Sequence, residues 1–186
     1  MTIDDLVHRL DGVAARRRTR LIAVDGWGGG GKSRLAAELA QRLASVTVIH
    51  TDYFAGPSRP RWDWQRLARE VLGPVLSDRP ARFQRYDWNR DQLGEWQQVP
   101  IGGTVIVEGI SSSRLELGPI WDLVIWVECP RELRLRRGIE RDGEARRWTW
   151  ETVWMPDEEA YVRTQDPIGR ADLIVDGSDA QLYGPA

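Results

Sequence analysis

Leu21-Ile22-Ala23-Val24-Asp25-Gly26-Trp27-Gly28-Gly29-Gly30-Gly31-Lys32-Ser33 is the stretch on which the fold turns. Its first five residues form an apolar run closed by glycine, the pattern of a buried strand. Its last eight match G-x-x-x-x-G-K-[ST], which signals a phosphate cradle only when a strand precedes it and a helix follows. The helix is there: from Lys32 to Ala44, residues Leu35, Ala36, Leu39, Ala40 and Leu43 make one apolar stripe. Glycines let the backbone turn its N–H groups inward, and those groups join the helix N-terminus in an anion nest. Gly26, Gly28, Gly29, Gly30, Gly31, Lys32, Ser33 and Arg34 are therefore assigned to the phosphates of a nucleotide. Lys32 brings a full positive charge toward the β- and γ-phosphates, and Ser33 offers a hydroxyl to Mg²⁺. Of the 26 Lys and Arg residues, all but Lys32 are arginine. A lone lysine at this position asks for a chemical reason; the bland alternative is a glycine-rich turn with an incidental lysine.

Working outward, Val46 to His50, Thr104 to Glu108, Asp122 to Glu128 and Asp172 to Asp176 read as four further strands. Helices are expected over Trp62 to Leu76, Pro74 counting against the last turn, from Pro130 to about Asp142, and from Met155 to Thr164. Residues 55–61, AGPSRPR, form a loop by their Gly and Pro content. Residues 77–100, mixed polar and aromatic, receive no element. Apolar strands alternating with helices predict an α/β fold of three layers, a five-stranded parallel sheet flanked by helices. No repeat or second domain shows, so residues 1–186 are taken as one domain. Ligands of such sheets sit outside the carboxyl ends of the strands. That rule puts 25–33, 50–54, 108–110 and 128–131 along one rim.

The net charge of -2 argues against a nucleic-acid partner. No apolar run approaches 18 residues and mean hydropathy is -0.46, so no membrane helix is expected. The first residues place acids before arginines, the reverse of a secretory signal, which suggests a surface amphipathic helix and a cytoplasmic location. Cys129 lacks a partner for an internal disulfide and reads as a small buried hydrophobe. His8 and His50 are too isolated for a metal site.

A phosphoryl transfer to a hydroxyl needs a carboxylate facing the γ-phosphate. Asp52, just past the second strand, lies on the same rim as the cradle; a turn-capping aspartate is the alternative. Glu108, ending the third strand, can hold Mg²⁺ with Ser33 or contact the acceptor; a solvated strand-end acid is the alternative. Asp25 has weaker support and reads as structural. Arg131, Arg134, Arg137 and Arg141, spaced three, three and four apart, share one helical face. They can close over a nucleotide, Arg137 and Arg141 first among them, or simply form a solvated basic face. Ten tryptophans are mostly packing, with Tyr86 and Asp87 set apart for the resemblance that follows.

GWGGGGKS, HTDYF, RYD near residue 86, VIVEG and RLRRGIERD occur in the order seen in the uridine kinase-like P-loop kinases. That group includes uridine/cytidine, nicotinamide riboside and pantothenate kinases and phosphoribulokinase, and the resemblance covers about residues 20–176. It implies a P-loop NTPase fold with a small Arg-rich lid, about 134–155, and transfer of the ATP γ-phosphate to a hydroxyl of a nucleoside-like acceptor. It places the general base on Asp52 and the phosphate lysine on Lys32. Mg²⁺ contacts fall on Ser33 and Glu108, lid arginines on Arg134, Arg137 and Arg141, and acceptor contacts on Asp52, Phe54, Tyr86, Asp87, Glu108 and Arg134. Two places differ from uridine kinases: Ala55 follows Phe54 where tyrosine is usual, and Gly143-Glu144-Ala145-Arg146-Arg147 replaces an Arg-Gly-Arg sequence. The implied partner is a small molecule bound by a monomer or homo-oligomer, with neither nucleic acid nor membrane. The alternative is a nucleotide-dependent ATPase or switch acting on a protein partner.

Overall fold

The computed structural model describes residues 2–56 and 62–179; of the loop expected over 55–61, residues 57–61 lie outside them. The first strand, β1 (Arg20–Gly26), is the middle of a five-stranded sheet completed by β2 (Val46–His50), β5 (Thr104–Glu108), β6 (Leu123–Glu128) and β7 (Leu173–Asp176). The order is β2-β5-β1-β6-β7, and every pairing is parallel. Between β2 and β5 an antiparallel hairpin, β3 (Ala81–Asp87) and β4 (Gln92–Val99), forms a separate two-stranded sheet.

Successive strand residues point to opposite faces, and both faces are covered. On one, Ile22, Val24, Ile106, Ile125 and Val127 pack against α1 (Ile3–Asp11) and α2 (Lys32–Arg42). On the other, Leu21, Ala23, Val105 and Val107 meet Leu67, Val71 and Leu72 of helix α3 (residues 64–76), with Phe83 and Val99 of the hairpin. The three expected layers are present. A capping box starts α1: the Asp5 N–H donates to Thr2 Oγ1 at 3.2 Å, and the Thr2 N–H donates to Asp5 at 2.8 Å. That helix buries Ile3, Leu6 and Leu10 against the sheet, so it is amphipathic as expected. Cys129 is buried, and that burial pushes its thiol pKa up, as befits a packing residue.

The helix expected over Trp62 to Leu76 is present as α3, and Pro74 does not end it: residues 68–72 take a π turn in which the Gly73 N–H bonds back to the Ala68 carbonyl, and the chain continues helical to Leu76. Proline lacks a donor and crowds the preceding turn, and a widened register accommodates both. Residues 77–100, left unassigned, contain the hairpin. The last helix, α5, spans 147–165 rather than 155–164 and contains its own π turn at Trp150–Trp154. The preceding helix, α4 (Arg131–Asp142), starts after Pro130 as read.

Candidate active site

The loop between β1 and α2 has left-handed backbone at Gly29 (φ 70°) and Gly31 (φ 103°). A Cβ on Gly29 would lie 2.6 Å from the Arg134 carbonyl oxygen, so this turn needs glycine for space as well as conformation. Lys32 is only 6% exposed, and its Nζ donates to the Trp27 carbonyl at 2.7 Å. The Gly30 N–H donates to the same carbonyl at 3.0 Å, so the ammonium is tied to its own loop. Arg34 is exposed on the first turn of α2.

Ser33 Oγ donates to Glu108 Oε1 at 3.0 Å. Glu108 is buried at the end of β5, and the same oxygen contacts His50 Nδ1. That hydrogen bond raises the His50 pKa, burial opposing it. Among the described residues no group of three or more His, Cys, Asp or Glu forms a metal cage. A hydroxyl beside one carboxylate is nevertheless a hard-oxygen pair that fits Mg²⁺, which ordinarily takes one or two protein oxygens and completes its shell with phosphate and water.

Asp52 lies in a 3-10 turn, Thr51–Phe54, at the carboxyl end of β2. Asp52 is exposed at the cleft, yet the protein atoms crowding its carboxyl raise its pKa, and the Glu108 charge raises it further; Lys32, Arg141 and His50 pull it down. The residue opens onto a cleft of about 480 Å³ walled by Trp62, Trp88, Trp154, Tyr161 and Glu158. Trp62 donates to Ser111 Oγ at 2.8 Å, and Trp88 Nε1 to the Asp52 carbonyl at 3.3 Å.

The other assigned residues are distributed as follows. Phe54 is in the core, stacked on Phe83 with centroids 5.0 Å apart and covered by the Arg66 guanidinium. Tyr86 hydrogen-bonds Asp91, and its ring lies against Gly56 at the edge of the cleft. The Asp87 carboxylate accepts from the Asn89 and Arg90 N–H groups and so closes the hairpin turn. Arg134 is buried over the Trp27 ring and ion-paired to Glu158 at 3.2 Å. Arg137 donates to the carbonyls of Gly29 at 3.4 Å and Gly177 at 3.0 Å, bracing the loop from outside. Arg141 is held by Asp142 at 2.7 and 2.9 Å, within the field of Asp52.

Asp25 proves to be an organising residue. Its fully buried carboxylate accepts from the N–H groups of Gly26, Ser111 and Ser113, the Ser113 hydroxyl at 2.6 Å and the Tyr161 hydroxyl at 2.6 Å. Burial and the Asp25 charge push the Tyr161 pKa up, which keeps the hydroxyl a donor. Asp25→Ala would orphan these donors at a cost of about 3–5 kcal/mol. For a domain of this size that lowers Tm by roughly 6–20 °C. A thermal unfolding curve within about 2 °C of wild type would show that the network contributes little to stability.

No family model matches the chain. It is 25% identical over 153 residues to uridine kinases of two strains of Ureaplasma parvum serovar 3, covering 72% of this chain and 73% of each relative. In fold it matches a possible uridine kinase from Bacillus stearothermophilus with a TM-score of 0.73 and 22% identity, over 94% of this chain and 97% of the other. The chain shares the fold of that protein, a five-stranded parallel sheet flanked by helices. A candidate fructose transport system kinase from Silicibacter sp. TM1040 matches with a TM-score of 0.65 and 22% identity, over 94% of this chain and 99% of the other.

Within this fold, the cleft is lined by residues that sequence reasoning missed: Trp62, Trp88, Ser111, Trp154, Glu158 and Tyr161. Trp88 follows directly on the RYD element, and that adjacency was its one usable signal. Glu128, which accepts from the indoles of Trp27 at 2.9 Å and Trp126 at 2.8 Å, was signalled only by its place at a strand end. No helix of the described residues is long and apolar enough to cross a membrane.

Proposed function

We propose that this chain is an ATP-dependent kinase that moves the γ-phosphate to a hydroxyl of a nucleoside-like small molecule. The observation that carries the reading is that Asp52 opens onto a cleft large enough for a small acceptor while feeling the charge of Lys32. The similarity to uridine kinases supports a nucleoside acceptor. The loop N–H groups and Lys32 hold the phosphates. Ser33 and Glu108 hold Mg²⁺, which when bound neutralises phosphate charge. Asp52 takes the proton from the acceptor hydroxyl, whose oxygen attacks the γ-phosphorus as ADP leaves. Residues 134–155 act as the lid of a single domain, with Arg141 beside the transferred group. The aromatic walls exclude water and flank a flat acceptor.

A coupled assay of ADP release over a panel of nucleosides and related alcohols tests the reading. The expected result is release that depends on one acceptor class and saturates with it. Slow release that no acceptor stimulates would instead support a nucleotide-dependent switch.

A further inference from the structure

Glu158 is buried, acidic and idle in the reaction as written. The helix α5 carries it to the phosphate loop, where its Oε2 accepts from the Gly28 N–H at 3.0 Å and from Arg134 Nη1 at 3.2 Å. Glu158 and Arg134 are each 4% exposed. Its Oε1 is buried with no hydrogen-bond partner, and a Cβ on Gly28 would lie 2.4 Å from it. Lys32 acts on the carboxylate as well, pulling its pKa down against the larger effect of burial. An inward backbone amide, a guanidinium and an ammonium are the groups such a loop offers a phosphate. Glu158 also lines the cleft that Asp52 opens onto, which makes it a link between the cradle and that cleft.

We propose that Glu158 is an internal surrogate for the terminal phosphate: its carboxylate holds that place in the free chain, and a bound triphosphate expels it and releases Arg134 to the transferred group. The inference rests on the nucleotide reading above. Two anions cannot share one set of donors in a buried site without strong repulsion. The same helix supplies Asp157, Tyr161, Thr164 and Gln165 to the cleft wall, so expulsion of Glu158 reshapes the acceptor side when ATP binds.

Calorimetry of Mg·ATP and Mg·ADP binding, without acceptor, to wild type, Glu158→Gln and Glu158→Asp tests this. The glutamine keeps the shape and removes the charge; the aspartate keeps the charge and shortens the reach. Both variants should bind ATP about tenfold tighter than wild type, with ADP affinity moving by less than about twofold. Equal ATP affinity in all three proteins overturns the surrogate role, as does an equal gain for ATP and ADP, which a merely structural residue would give. If no protein binds any nucleotide, the cradle reading itself fails and the surrogate with it. Should the aspartate variant not fold, the isosteric glutamine decides alone.

Discussion

Asp52→Asn is expected to lower kcat by about a thousandfold while leaving Mg·ATP affinity within about twofold. Asparagine keeps the volume and the hydrogen-bonding reach but cannot accept the hydroxyl proton. The carboxylate sits in a turn whose backbone is anchored independently, the Phe54 ring being packed on Phe83 and the Ala55 N–H bonded to the Asp52 carbonyl. Unfolding is therefore not the expected cause of the loss. The pH profile separates a base from a mere contact. The protein atoms crowding the carboxyl and the neighbouring Glu108 raise the Asp52 pKa, so its acid form persists to higher pH than an ordinary aspartate's. Activity should fall as pH drops through that raised value, and the triphosphate's own charge raises it further. The residual activity of the asparagine variant should lack this acid limb. A variant that turns over at the wild-type rate, or one that keeps the limb, removes Asp52 from the role of base.

The cradle was legible because it is local. Thirteen consecutive residues, 21–33, carry strand, turn and helix start, and the pattern fixes which chemistry follows. The pairing of Ser33 with Glu108 was legible at one remove, since parallel strands bring their carboxyl ends to one rim wherever they lie in sequence. The arginine face shows where periodicity stops. Spacing puts Arg134, Arg137 and Arg141 on one side of α4, but each finds a different partner: buried Glu158, loop carbonyls, and Asp142. Those partners belong to tertiary contacts that the repeat cannot name. The hairpin was hidden because β4 buries little beyond Val99, so no alternation of apolar residues marks it. Tyr161 bonding Asp25 across 136 residues has no local signal of any kind. Long-range polar contacts of this sort are set by the finished fold.

The lysine offers the sharper test of the cradle, because the chain uses arginine for every other basic side chain outside histidine. Both Lys32→Met and Lys32→Arg should lower kcat/KM by about a hundredfold to a thousandfold, the arginine nearly as much as the methionine. Lys32 Nζ lies 2.7 Å from the Trp27 carbonyl in a site that leaves the side chain 6% exposed. A compact ammonium can turn from that carbonyl to a phosphate oxygen by rotating the end of its stem. A planar guanidinium is larger and fixes its donors in a fork, so it cannot turn in the same way in so enclosed a site. Stability should be less affected, since the Trp27 carbonyl keeps the Gly30 N–H as donor when Lys32 is gone. Thermal unfolding alongside nucleotide calorimetry and initial rates makes the distinction: a folded Lys32→Arg protein with kcat/KM within about threefold of wild type would mean that charge alone suffices there. The shape of the ammonium would then have no part in holding the phosphates.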